Sequence, residues 1–151
     1  MGRSQDADDC RQWVRTLTRS GVAVYVPEIA DYEIRRELVR AKNPAAVARL
    51  DLFNREEPYR YVPINTRAMV RAADLWATLR NSGVPTAPPD SIDGDVILSA
   101  RMLNFCTEQG IAPTDVCVAS ANVRHLSRMV IAQTWAQITP PATTAPGSAA
   151  A

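Results

Sequence analysis

An α/β domain is what this sequence predicts, and three observations carry that reading. Short apolar runs, such as Val22-Ala23-Val24-Tyr25-Val26 and Val116-Cys117-Val118-Ala119, alternate with longer segments whose apolar residues recur at helical spacing. Strands that are apolar throughout suit a parallel sheet covered on both faces. A chain of 151 residues, 46% hydrophobic and 22% charged, is ordinary for one globular domain.

Each element has its own justification. Residues 8–20 read as a helix with Trp13, Val14 and Leu17 on one face, stopped by Gly21. The β-branched run 22–26 is a strand ended by Pro27. A helix follows over about 28–42, with Ala30, Ile34, Leu38 and Ala41 spaced to face inward. Asn43-Pro44 opens the next, which carries Val47, Leu50 and Phe53 or Asn54. Tyr59 to Ile64, flanked by Pro58 and Pro63, is a second strand. Thr66 is placed to cap an amphipathic helix burying Met69, Ala72, Leu75 or Trp76, and Leu79, ended by Asn81-Ser82-Gly83. Residues 84–90 read as a loop, and a largely apolar helix spans Asp93–Gln109. Residues 115–120 form a third strand, and 129–132 a weaker one before Trp135. From residue 139 the chain holds three prolines and no apolar residue larger than alanine, so 139–151 is expected to be a disordered tail.

Composition excludes several classes. Net charge is +1, so no overall field announces a polyanionic partner. The three cysteines, Cys10, Cys106 and Cys117, lack the spacing of a disulfide framework or a zinc site. Cys106 and Cys117 are expected to be buried thiols in a reducing compartment. No apolar run approaches membrane-spanning length, and the N-terminus has no signal-peptide core, so a cytoplasmic location is expected.

The residues that could carry chemistry follow from the fold class, because ligands collect at the carboxyl ends of parallel strands. Glu33 lies one helical turn past the first strand, Asp95 near the start of its helix, and Asn122 just past the third strand. Each also has a bland reading. Glu33 could pair with Arg36 or Arg40. Asp95 could belong to a helix terminus capped by Ser91 or Asp93, and Asn122 could bond its own backbone. His125 is expected to be structural or exposed. Arg35, Arg36, Arg40 and Arg49 form a basic stripe, which reads as a solvated face with a phosphate-binding face as the alternative.

Three blocks, in order, carry a resemblance. Val24-Tyr25-Val26-Pro27-Glu28-Ile29-Ala30-Asp31-Tyr32-Glu33-Ile34-Arg35-Arg36-Glu37-Leu38 resembles the second-strand and helix block of PIN-domain proteins. Ala72-Ala73-Asp74-Leu75-Trp76-Ala77 with Gly83-Val84-Pro85, then Asp93-Gly94-Asp95-Val96-Ile97-Leu98-Ser99-Ala100, looks like the family's next block. Val116-Cys117-Val118-Ala119-Ser120-Ala121-Asn122-Val123-Arg124-His125-Leu126 is similar to its penultimate strand and the following turn. The resemblance spans about residues 10–136. It implies a PIN-like three-layer sandwich over 1–138 and a Mg²⁺- or Mn²⁺-dependent endoribonuclease, often the toxin of a VapC-type toxin–antitoxin pair. RNA is then the substrate, with an antitoxin protein and a second copy as partners. By position, Glu33 and Asp95 match metal-binding carboxylates and Asn122 an assisting residue, with Asp93 the alternative if the register slips by two. Hard cations held by oxygen neutralise phosphate charge and lower the pKa of bound water, which is why that chemistry needs carboxylates.

The chain departs from the family in one respect. The family opens with an apolar strand ending in Asp, whereas Asp6, Asp8 and Asp9 here sit in a polar run that leads into the first helix. Either translation starts upstream of Met1 or that strand is missing, and with two carboxylates instead of three or four the chain as given is expected to be weakly active or inactive. A non-catalytic PIN-like module that binds RNA or a protein is the competing expectation. A response-regulator-like phosphate domain fails, because it needs a late lysine and the only lysine is Lys42.

Overall fold

The computed structural model describes residues 2–82 and 89–140. In chain order the elements are α1 (Gly2–Arg19), β1 (Val26–Pro27), α2 (Glu28–Arg40), α3 (Pro44–Glu56), β2 (Tyr61–Val62), α4 (Thr66–Asn81) and α5 (Pro89–Gln109). A 3₁₀ turn at Pro113–Asp115 leads to β3 (Val118–Ala119), α6 (Val123–Leu126) and β4 (Ala132–Gln133), and a last 3₁₀ turn covers Trp135–Gln137. The class is mixed α/β, with helix predominating.

All strand pairing among the described residues is parallel, as apolar strands joined through helices require. It forms two ladders, however, and not one sheet: β1 pairs with β2 and β3 with β4. Val26 lies opposite Tyr61, and Val118 opposite Ala132. The strand expected over 22–26 is therefore shorter than its apolar pattern. Residues 22–25 have no ladder neighbour among the described residues. The Val22 N–H instead donates to the Leu17 carbonyl at 3.0 Å, closing the end of α1. Gly21 supplies the left-handed turn there, with φ +77°. The second strand shrinks in the same way: Tyr59 takes φ +64° and stands 87% exposed, which leaves only Tyr61 and Val62 paired.

α5 is the centre of the molecule. It packs along α4 and also meets α2, α6 and β1. Ala72 of α4 and Val96 and Ala100 of α5 form one buried cluster, in which small side chains let the two helices approach closely. Met102, Cys106, Leu126, Val130 and Ala132 form another, and Met129 touches both. α5 begins at Pro89, four residues earlier than its apolar stretch suggests, since proline suits a helix's first turn. Residues 89 and 90 of the expected loop are thus helical, and 83–88 lie outside the described residues.

Some inward faces differ from the periodicity. On α2 the buried residue is Asp31, while Ile34 is 53% exposed. Asp31 accepts from Arg35 Nε at 2.7 Å, Arg35 Nη2 at 2.9 Å and Asn54 Nδ2 at 2.8 Å, and Arg35 Nη2 reaches Asp51 at 2.8 Å. Polar clasping of α2 to α3 has displaced the apolar stripe that spacing alone expects. On α4, Ala72 is buried and Leu75 half-buried, whereas Met69 and Trp76 are exposed. Its cap is Asn65 and not Thr66: the Asn65 carboxamide accepts from Ala68 N at 2.8 Å. Cys106 is buried as expected, but Cys117 is exposed. The 3₁₀ turn that ends at Asp115 delays the strand to Val118 and leaves Cys117 on its outer side. The expected C-terminal tail lies, from residue 141, outside the described residues.

Candidate metal centre

Three elements converge near the N-terminal half of α5. Asp95 sits in the second turn of that helix and not at its mouth, because α5 starts at Pro89. Capping therefore does not account for it, and the dipole's help fades beyond the first turn. The Asp95 side chain is only 17% exposed. Burial pushes its carboxyl above the usual carboxylate range; His125 opposes that rise and Glu33 adds to it. The Asp93 side chain, the alternative register, lies outside the described residues.

Asn122 closes the site from the far side of the sequence. The turn after β3 is held by Asn122 N donating to Ser120 Oγ at 3.0 Å. The Asn122 side chain does not cap α6; its Nδ2 donates to Asp95 Oδ2 at 2.5 Å. His125, one turn along α6, brings Nδ1 to 3.5 Å from the same carboxylate oxygen and 3.5 Å from Asn122 Nδ2. His125 is half-buried and stands beside the Asp95–Asn122 pair. Its spacing of three from Asn122, with a helix beginning between them, was the available signal.

Glu33 reaches the same region from α2. Its carboxylate lies over Gly94, so close that a β-carbon there would overlap Oε1 and sit 3.3 Å from Cδ. The missing side chain at Gly94 is what admits Glu33. The basic residues expected as its partners are engaged elsewhere: Arg40 pairs with Glu37 at 2.7 Å, and Arg36 lies over the Tyr32 ring at 5.6 Å. The structure therefore joins Asp95 to Asn122 and His125, and sets Glu33 against Gly94, the residue before Asp95.

The donor set is two carboxylates, an amide and an imidazole. Among the described residues, no group of three or more His, Cys, Asp or Glu side chains is gathered closely enough to hold a metal ion by itself. Two carboxylates with a neutral amide fit a divalent cation that keeps several waters, as Mg²⁺ does, and such a site binds weakly. No helix among the described residues is long and apolar enough to cross a membrane. Compared with protein-family models, with curated proteins and with solved structures, the chain matches none.

Proposed function

We propose that this chain is a PIN-like, metal-dependent endoribonuclease domain of the kind found as toxins in toxin–antitoxin pairs, weakly active in the form described. The observation that carries the reading is the Asp95–Asn122 contact between α5 and the start of α6, with Glu33 of α2 seated over Gly94 beside it. RNA is the substrate in this reading, and an antitoxin protein and a second copy of the chain are the partners it implies.

Glu33 and Asp95 would hold Mg²⁺ or Mn²⁺. When bound, such an ion lowers the pKa of water and neutralises phosphate charge. The chain's own residues set the stage. Asn122 fixes the Asp95 carboxylate through Oδ2. Partial burial of Asp95 lowers the local dielectric, which strengthens its attraction for a cation. Gly94 keeps the space that the Glu33 carboxylate needs.

The test is cleavage of a labelled single-stranded RNA by the purified chain in Mg²⁺ or Mn²⁺, against the same reaction in EDTA. Slow, metal-dependent cleavage is expected, reduced about 100-fold by Asp95→Asn, the scale typical of losing one such group. Cleavage no faster than the Asp95→Asn background would overturn the enzymatic reading. The sparse donor set favours, as the second reading, a non-catalytic PIN-like module that binds RNA or a protein. RNA binding without cleavage is the outcome that module requires.

A further inference from the structure

We infer that the cleft between α2 and α3 binds a straight-chain carboxylate of medium length, with its head at Lys42 and its tail along the first turns of α3. The cleft shares no residue with the Asp95 region.

Its volume is about 450 Å³, within the range of small-molecule sites. The walls are Leu38 and Val39 of α2 and Pro44, Val47 and Ala48 of α3. Val39 stands 62% exposed, so part of this apolar lining faces water. Lys42 and Asn43 lie at the end where the two helices meet, and Asp51 lies about two turns along α3.

The polar groups at the closed end suit an anion. Arg35 and Arg40 nearby are paired with Asp51 and Glu37, whereas Lys42 forms no ion pair among the described residues. Asn43 Oδ1 is engaged in capping α3, through Ala46 N at 3.0 Å, and its Nδ2 has no acceptor among the described residues. An ammonium, a free amide donor and the positive end of a 13-residue helix thus gather at one end of an apolar cleft. Lys42 also takes φ +51°, in the left-handed region that glycine fills at helix ends. A lysine held there carries strain that glycine would not, so its side chain brings something that glycine lacks.

An acyl chain suits the walls better than a peptide does. The backbones of α2 and α3 satisfy their hydrogen bonds within each helix, and Pro44 has no N–H, so the walls offer no partners for a peptide's amides. A hydrocarbon chain needs none. From Asn43 to Asp51 the helix axis advances about 12 Å, the length of an extended chain of about eight to ten carbons. Asp51, held by Arg35 at 2.8 Å, would repel the head group and so fixes the direction in which the ligand lies.

The test adds decanoate to the full untagged chain, below the concentration at which it forms micelles, with decanol as the neutral control. Lys42 is the only lysine of the chain, so ¹³C-labelled lysine reports from one position. Decanoate should shift the Lys42 side-chain resonances and saturate at one equivalent. Decanol should bind about fivefold more weakly, the scale of one partly exposed ion pair. Lys42→Gly should raise the melting temperature, by releasing the left-handed strain, and bring decanoate down to the affinity of decanol. A Lys42→Gly chain that binds decanoate as tightly as the parent would overturn the assignment, as would Lys42 resonances that stay still while decanoate binds. Resonances that shift as the protein alone is concentrated would give the cleft to a second copy and overturn the acyl ligand. None of these readouts involves RNA cleavage, so the ribonuclease reading stands or falls separately.

Discussion

Asp31 is the residue on which the α2–α3 half depends most. It is 5% exposed and accepts three hydrogen bonds from Arg35 and Asn54. The Arg35 hydrogen bond holds its carboxyl below the usual carboxylate range, with Asn54 adding to that effect and burial opposing it. A carboxyl lowered on folding stabilises the protein fully above its unfolded value, near pH 3.9, and loses that contribution as pH falls towards the folded value. Asp31→Asn should therefore cost about 2 kcal/mol at neutral pH, given that Arg35 is one-third exposed. The gap in urea midpoint between the two proteins should narrow on going from pH 7 to pH 3, and a gap independent of pH would refute the charged clasp. Gly94 makes the second prediction at this scale. Gly94→Ala favours the helix by up to about 1 kcal/mol but places a methyl group where Glu33 sits. Mn²⁺ affinity should fall several-fold with no loss of melting temperature. In a Glu33→Gln background, where that carboxylate is already gone, the same change should cost almost nothing further.

At the level of elements, helix boundaries separate what the sequence announces from what it hides. Asn43-Pro44 announces α3 openly, and the structure shows Asn43 Oδ1 accepting from Ala46 N at 3.0 Å. Asn43→Ala should lower stability by about 1 kcal/mol in chemical denaturation. Thr66 and Asn65 are both competent caps, and only the backbone angles, with Asn65 extended at φ −124° and ψ 165°, decide between them. Proline at 89 hides the true start of α5 inside a stretch rich in loop residues. The α4–α5 contact was legible as apolar spacing, but its closeness was not. Ala68 and Ala100 are both fully buried. Ala100→Leu should overpack that seam and cost about 2 kcal/mol, seen as a lowered urea midpoint with an unchanged slope.

Across the whole molecule, the class was readable and the pairing was not. Apolar runs separated by helices specify parallel strands, and parallel they are. How many residues of each run find a partner depends on neighbours distant in sequence, so five- and six-residue runs became two-residue ladders. The candidate site shows the same division. Glu33 and Asn122 stand out by their places after strands and Asp95 by its place near a helix start, but the contacts of His125 and Gly94 are distances that spacing does not encode. Nor does periodicity reveal that α2 turns a carboxylate inward: an Asp at a core position reads as an error until Arg35, Asp51 and Asn54 are placed around it.

The position of Cys106 has a kinetic consequence. Its thiol is buried in the middle of the molecule, 3.4 Å from the Met102 sulfur, on the same helix that carries Asp95 three turns away. Cys117 is exposed and Cys10 partly so. A thiol reagent should therefore modify the chain in two epochs: Cys117 and Cys10 early, and Cys106 only when α5 lifts from α6 and β4. That late rate is a stopwatch for the central helix, read in ordinary buffer with no label attached beforehand. An ion held between Asp95 and Glu33 of α2 would have to slow it, so the labelling clock of one sulfur atom would count how firmly the opposite end of the helix is anchored.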